Sequence, residues 1–115
     1  MNIWALDKDN SIKHLLLLLE QDAGADAFIL CDAEQLHPKS IRLGTHEGPA
    51  TAYLYTYGQT EGHYGLHLEY PYNQELNTSE QEDMYEDLTY DAVLKILTVH
   101  FDWHRNTDLK HKDAN

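Results

Sequence analysis

The sequence is poor in cysteine, and it lacks long apolar runs. Cys31 is the only cysteine among the 115 residues, which excludes an intrachain disulfide and favours a reducing compartment. The longest leucine run, Leu15–Leu19, is far shorter than the ~20 apolar residues that a membrane-spanning helix needs. No basic region followed by an apolar core stands at the amino terminus, so no signal peptide is predicted. We therefore expect a soluble protein of the cytoplasm.

Lysine and arginine are absent from residues 43–94, although this stretch contains ten of the twenty acidic residues and all eight tyrosines. The formal charge of −12 argues against direct binding to nucleic acid or anionic lipid, because both select basic surfaces. Acidic groups without bases repel one another until a partner neutralises them, and interfaces favour tyrosine. These features favour a basic protein partner. A solvated acidic loop beside a tyrosine-rich sheet would give the same composition without any binding.

Hydrophobic spacing predicts two helices. The first follows the capping side chains of Asp9, Asn10 and Ser11, has its apolar residues at helical spacing, and ends near Gly24. The second begins after Thr89, which is a suitable cap, and carries a buried stripe that includes Val93 and Leu97. The leucines of the first helix would pack on the domain's own sheet or, as an alternative, form a dimer interface. The chain is thus expected to be a monomer or a weak dimer.

The strands are predicted from apolar residues that alternate or stand between turn signals. The clearest pair is a hairpin, Ala50–Tyr57 and His63–Tyr70, joined by a loop with a glycine at each end. Other expected strands are Ile3–Leu6, Ala27–Cys31 and a segment containing Ile41 and Leu43. In the second hairpin strand Tyr64, Leu66, Leu68 and Tyr70 face the core. In the first, either Tyr53, Tyr55 and Tyr57 or Ala52, Leu54 and Thr56 point inward.

Together these elements predict an α+β fold. Their order is strand, helix, four strands, helix, with an antiparallel sheet of four to five strands and both helices on one face. Residues 1–105 are expected to form one domain, and residues 106–115 a frayed polar tail. Residues 72–87 are predicted to be a long acidic connection with a helical turn after Ser79, and such loops are usually functional or mobile.

Histidine offers the alternative of a metal-binding protein or an enzyme. His100 and His104 lie four residues apart on the final helix, which suits two zinc ligands, and His63 or His67 would supply a third. The helix lacks the glutamate of a metalloprotease motif, so polar residues flanking a buried stripe are the simpler interpretation. Cys31 lies in an apolar strand, which is typical of an inert packing residue. We expect no metal, no cofactor and no catalytic residue.

The charge, size and element order resemble those of small immunity proteins of bacterial contact-dependent inhibition and related polymorphic toxin systems. The segments that carry the resemblance are GPATAYLYTYGQTEGHYGLHLEYP, NTSEQEDMYEDL and the closing helix. The resemblance implies a cytoplasmic protein that binds and neutralises one cognate toxin, often a basic nuclease. It supplies no motif that matches residue by residue. A phage-type inhibitor or nucleic-acid mimic, directed at a DNA-binding protein, would use the same acidic surface.

Charge and aromatic content nominate the residues that would bind the partner. Carboxylates would stand where substrate phosphates otherwise bind, and tyrosines would anchor the complex. The expected carboxylates are Glu75, Glu80, Glu82, Asp83, Glu86 and Asp87. The expected aromatic residues are Tyr72 and Tyr85, with Tyr53, Tyr55 and Tyr57 if the last three face solvent.

Overall fold

The described part of the chain folds into a five-stranded antiparallel sheet and two α-helices. In a computed structural model, residues 2–31, 37–70 and 83–103 are described. A short 3₁₀ helix, Ile3–Ala5, precedes the helix α1, Asn10–Ala23. The strands, which follow one another in the sheet in chain order, are β1 (Ile29–Cys31), β2 (Ser40–Gly44), β3 (Thr51–Tyr55), β4 (Tyr64–Glu69) and β5 (Asp83–Leu88). The helix α2, Tyr90–His100, comes last. The predicted α+β class is confirmed.

The predicted strand at Ile3–Leu6 is wrong. The Ile3–Ala5 segment is helical, and the Leu6 N–H donates to the carbonyl of Ile3 instead of to a neighbouring strand. Ile3 is buried in the core, whereas Trp4 is 59% exposed. Burial of the Ile3 side chain alone does not require the alternating pattern of a strand. A local 3₁₀ turn therefore satisfies the backbone hydrogen bonds of this segment.

The fifth strand comes instead from the predicted acidic connection. Asp83–Leu88 pairs antiparallel with β4, placing Tyr85 opposite Leu66 and Met84 opposite His67. Acidic residues are poor strand formers, but the unpaired edge of β4 offers a template of backbone donors and acceptors that outweighs this preference. Residues 71–82, including the predicted helical turn after Ser79, lie outside the described residues, as do residues 104–115.

Both helices pack on the same face of the sheet. Their predicted caps are present, since the Asp9 carboxylate accepts from the Ser11 N–H and the Thr89 hydroxyl oxygen from the Ala92 N–H. The core joins residues of both helices to alternate residues of the strands: Ile12, Leu15, Leu16 and Leu19 of α1, Val93 and Leu97 of α2, and Ile41, Leu43, Ala52, Leu54, Leu66 and Leu68 of the sheet. Burial of these apolar side chains is the main stabilising contribution.

The opposite face of the sheet carries the tyrosines of β3. Ala52 and Leu54 point into the core, which settles the ambiguity of this strand. Across this second face, one residue from each strand lies beside the next: Cys31, Arg42, Tyr53, His67 and Met84. Neither described helix covers it. We call it the open face.

Candidate binding face

Three tyrosines form a continuous ladder along the open face. Tyr53, Tyr55 and Tyr57 alternate along β3 and its extension, so their side chains project on one side. Their neighbouring ring centroids lie 5.6 Å and 4.7 Å apart, the second pair being stacked. The hydroxyls of Tyr53 and Tyr57 share a hydrogen bond of 3.0 Å. Such contacts hold the rings in a fixed arrangement, which lowers the entropy that binding would cost.

The middle rung, Tyr55, is buried although it lies on the open face. Its ring fills the space beside Gly65, its direct partner on β4, and only 4% of the residue is exposed. A Cβ atom at position 65 would come within 2.0 Å of the ring. The ring of His67 meets that of Tyr55 edge-on, with centroids 5.4 Å apart. The sequence analysis missed this role of Gly65, although a glycine within a strand is a known signal for close approach.

Glu86 is held beside the ladder by two neutral donors. The Tyr55 hydroxyl donates to Oε1 at 2.7 Å, and the Gln59 amide donates to Oε2. The hydrogen bond from Tyr55, followed by that from Gln59, lowers the pKa of the exposed Glu86 carboxyl below its usual value. Burial, with this hydrogen bond, raises the pKa of Tyr55. Near neutral pH the site therefore presents a carboxylate beside neutral phenols.

Of the other described carboxylates of the prediction, Asp83 lies apart from Glu86, whereas Asp87 lies beside it and is bound to the hairpin loop. Asp83 pairs with Leu68 and accepts from the Tyr70 hydroxyl at 2.9 Å, so it lies on the helix side of the sheet. Asp87, with φ of 51°, accepts from the Thr60 N–H at 2.8 Å and ties the hairpin loop to β5.

Two predicted anchors and three predicted carboxylates complete the candidate set. Tyr85 packs partly buried against the core, on the side of the helices. Tyr72, Glu75, Glu80 and Glu82 lie outside the described residues. Of the candidates in the described part of the chain, the structure thus brings Tyr53, Tyr55, Tyr57 and Glu86 together.

A base lies at one end of the ladder, although the sequence stretch that contains the tyrosines has none. Arg42 lies directly opposite Tyr53, with its guanidinium carbon 5.4 Å from the ring centroid. Its Nε and one terminal nitrogen donate to the two carboxylate oxygens of Glu69, at 2.8 Å and 3.2 Å. The Thr51 hydroxyl donates to the same carboxylate at 2.7 Å. The sequence did not reveal this contact, because positions 42 and 53 are brought together only by the pairing of β2 with β3.

The histidines of the alternative interpretation are dispersed. His100 places Nε2 2.8 Å from the carbonyl oxygen of Thr51 and packs edge-on against Tyr70. His67 packs among the rings of the ladder, and His63 lies near the carbonyl of Glu61. His104 lies outside the described residues. Within residues 2–31, 37–70 and 83–103, no group of three or more histidine, cysteine or acidic residues is placed to hold a metal ion.

Among the described residues, a cleft opens at each of two places beside the ladder's sheet. One, of about 660 Å³, is lined by polar groups that include Asp26, His46, Glu47 and Asp102. The other, of about 700 Å³, adjoins the start of α1. There the carboxylate of Asp9 already accepts a hydrogen bond from the Ser11 N–H. In the first cleft His100 is bound to a backbone carbonyl.

Comparison with family models found no match, and neither did searches of curated proteins and of solved structures. Neither helix of the described part of the chain has the length and apolar character needed to cross a membrane.

Proposed function

We propose that this chain is a cytoplasmic binding protein, without catalytic activity, that neutralises a basic toxin domain by covering it with the open face. The observation that carries the proposal is the hydrogen bond of Tyr55 to Glu86, which fixes an exposed carboxylate beside an ordered tyrosine ladder. Tyr57 is exposed beside this carboxylate, on a sheet face that no described helix covers, and exposed aromatic surface of this kind is typical of recognition.

The negative charge of the chain favours a partner that is basic. The formal charge of −12 steers a basic protein toward the chain and raises the association rate above the neutral value of about 10⁵–10⁶ M⁻¹s⁻¹. The ladder then supplies contact area whose ordering has already occurred on folding. A carboxylate such as Glu86 would occupy the place of a substrate phosphate in the active site of a nuclease toxin.

The open face is better suited to binding a partner than to catalysis. Tyr55 and Tyr57 stay protonated near neutral pH, since burial raises the pKa of Tyr55 and the hydrogen bond with Tyr53 raises that of Tyr57 to about 12. Glu86 is ionised and already accepts two hydrogen bonds. A carboxylate with a lowered pKa is a weak general base, whereas it remains a strong partner for cations.

The proposal is tested by capture from a lysate of the source organism, followed by mass spectrometry and an activity assay. The bait is the wild-type chain, the double variant Tyr57→Ala with Glu86→Lys, or the control Val99→Ser. Val99 is 83% exposed on α2, on the other side of the sheet. We expect wild type and control to retain a basic protein whose toxic activity they inhibit, and the double variant to lose it.

Equal capture by all three baits would exclude the open face as the binding surface. Capture of a DNA-binding protein without toxic activity would favour the nucleic-acid mimic over the immunity protein.

A further inference from the structure

The strand β5 is the outermost strand of the sheet in the part of the chain that the structure describes. It pairs with β4 on one side, and none of residues 2–31, 37–70 and 83–103 pairs with its other side. An outermost strand presents unpaired backbone N–H and C=O groups, which form a template for a further strand. The register of the sheet identifies the residue of β5 that presents them.

One backbone hydrogen bond between β2 and β3 fixes the pattern of the sheet, because hydrogen-bonded and non-hydrogen-bonded pairs alternate along an antiparallel ladder. The Thr56 N–H donates to the Lys39 carbonyl, and this pair continues the register in which Ser40 lies opposite Tyr55. The backbone of Thr56 therefore points toward β2. By alternation, the backbone groups of Tyr55 and Tyr53 point the other way, toward β4.

The same alternation carries across β4 to β5. Tyr53 lies opposite His67, so these two residues form a hydrogen-bonded pair and the backbone of His67 points toward β3. On its other side His67 lies opposite Met84, and that pair is accordingly non-hydrogen-bonded. The backbone N–H and C=O of Met84 therefore point away from β4, at the outer edge of the sheet.

Met84 is accessible at this edge. It is 62% exposed, and it lies at the centre of the regular pairing of β5 with β4, which runs from Asp83 to Tyr85. Beyond Tyr85 the register shifts, so the regular outer edge is centred on Met84.

The acids beside this edge select a basic strand. β5 contains Asp83, Glu86 and Asp87 and no base. Asp83 lies on the helix side of the sheet and Glu86 on the open face, so a strand along the edge would meet a carboxylate on either face. Two copies of this chain paired through β5 would bring like charges together, which is unfavourable. A basic segment would instead neutralise them.

We propose that the outer edge of β5 binds an extended basic segment of the partner by strand addition, with hydrogen bonds to the backbone N–H and C=O of Met84. This inference deepens the proposed function and rests on it, because it states how a basic partner attaches to the sheet that carries the open face. Backbone pairing supplies affinity, and successive basic side chains of the segment face Glu86 on one side of the sheet and Asp83 on the other.

The test compares two end-blocked peptides by NMR titration. One is an octapeptide of alternating lysine and threonine, and the other is the same octapeptide methylated on every backbone nitrogen, which retains the charges but has no N–H to donate. The proteins are wild type, Met84→Pro and the control Met84→Ala. Proline removes the outward N–H and is tolerated on an edge strand where that N–H faces solvent. Alanine removes the same side chain and retains the N–H.

We expect wild type and Met84→Ala to bind the unmethylated peptide about tenfold more tightly than the methylated one, the size of two net hydrogen bonds. Met84→Pro should bind both peptides equally. Equal binding of both by wild type, or a preference that survives in folded Met84→Pro, would overturn strand addition at β5 and leave the basic partner standing. Failure of both peptides to bind wild type would contradict the basic partner itself.

Hydrogen exchange of the Met84 amide in wild type provides a measurement that does not depend on the folding of Met84→Pro. The unmethylated peptide should slow this exchange and the methylated peptide should not. Exchange that is unchanged under saturating unmethylated peptide would overturn the proposal. A dimer of wild type that Met84→Pro abolishes would assign the edge to a second copy and would likewise overturn it.

Discussion

The ring of Tyr55 occupies the space beside Gly65 that a side chain at position 65 would fill. The two residues are direct partners on β3 and β4, and the ring comes within 2.0 Å of an ideal Cβ position. Because the ring rests on backbone, the hydroxyl of Tyr55 can reach across to Glu86 on β5. The geometry of the proposed binding face therefore depends on a residue that carries no side chain.

Gly65→Ala should lower the free energy of unfolding by about 1–3 kcal/mol, because the new methyl group forces the Tyr55 ring out of its position. Urea denaturation measures the loss. Gly48→Ala is the matched control, since a Cβ at position 48 meets only the Thr45 hydroxyl oxygen, at 3.8 Å. A Gly65→Ala protein as stable as the control would show that the ring accommodates the methyl group without cost.

Tyr55→Phe should raise the pKa of Glu86 toward its ordinary value, because the hydrogen bond from the Tyr55 hydroxyl is the first cause of the lowered pKa. A carboxyl whose pKa is lowered on folding adds stability above its unfolded pKa, and this stability is lost as the pH falls through the folded pKa. Carboxyl carbon shifts in an NMR titration report the change at Glu86. Tyr53→Phe is the control, and an equal shift in both variants would refute the assigned cause.

Alkaline pH should destabilise the protein between about pH 10, where unfolded tyrosine ionises, and about pH 12. The hydrogen bond with Tyr53, and then burial, raise the pKa of Tyr57 to about 12, while burial raises that of Tyr90 further. Groups whose pKa rises on folding add stability below the unfolded pKa and lose it as the pH rises through the folded value. Phenolate absorbance should therefore appear at a higher pH in the native chain than in the chain unfolded by denaturant. Coincident curves would contradict this.

Asp87→Ala should destabilise the protein by about 1–2 kcal/mol, because the Thr60 N–H loses its acceptor and a left-handed backbone position loses a favourable residue. Asp87 has φ of 51° and accepts from that N–H at 2.8 Å. Asp87→Asn retains an acceptor oxygen and the tolerance for positive φ, so it should cost less than half as much. Chemical denaturation compares the two variants. Equal losses would show that only the charge of Asp87 is important.

Local patterns in the sequence were sufficient for the helices and the hairpin. Asp9 and Thr89 cap α1 and α2 as predicted, and Gly24 ends α1 with φ of 106°. Caps and helical periodicity act over a few residues, so a single sequence contains them. The strand at Ile3–Leu6 was wrong and β5 was missed, because pairing with a distant strand decides whether a short segment is extended.

The candidate site was predictable in composition but not in arrangement. Alternation alone could not tell whether Tyr53 or Leu54 faced the core, since both faces of β3 carry side chains that a core accepts. Charge counting placed the acids of residues 83–87 together, yet strand geometry sends Asp83 and Glu86 to opposite faces.

Sequence alone was sufficient for the α+β class, the two capped helices and the acidic, tyrosine-rich middle without bases. Those properties follow from composition and from interactions between near neighbours in the chain. Three relationships required the folded sheet: Arg42 lies against Tyr53 at one end of the ladder, Gly65 admits the ring of Tyr55, and Glu86 accepts from the Tyr55 hydroxyl in the middle. Strand register produces these relationships, because it sets the contacts between residues far apart in sequence.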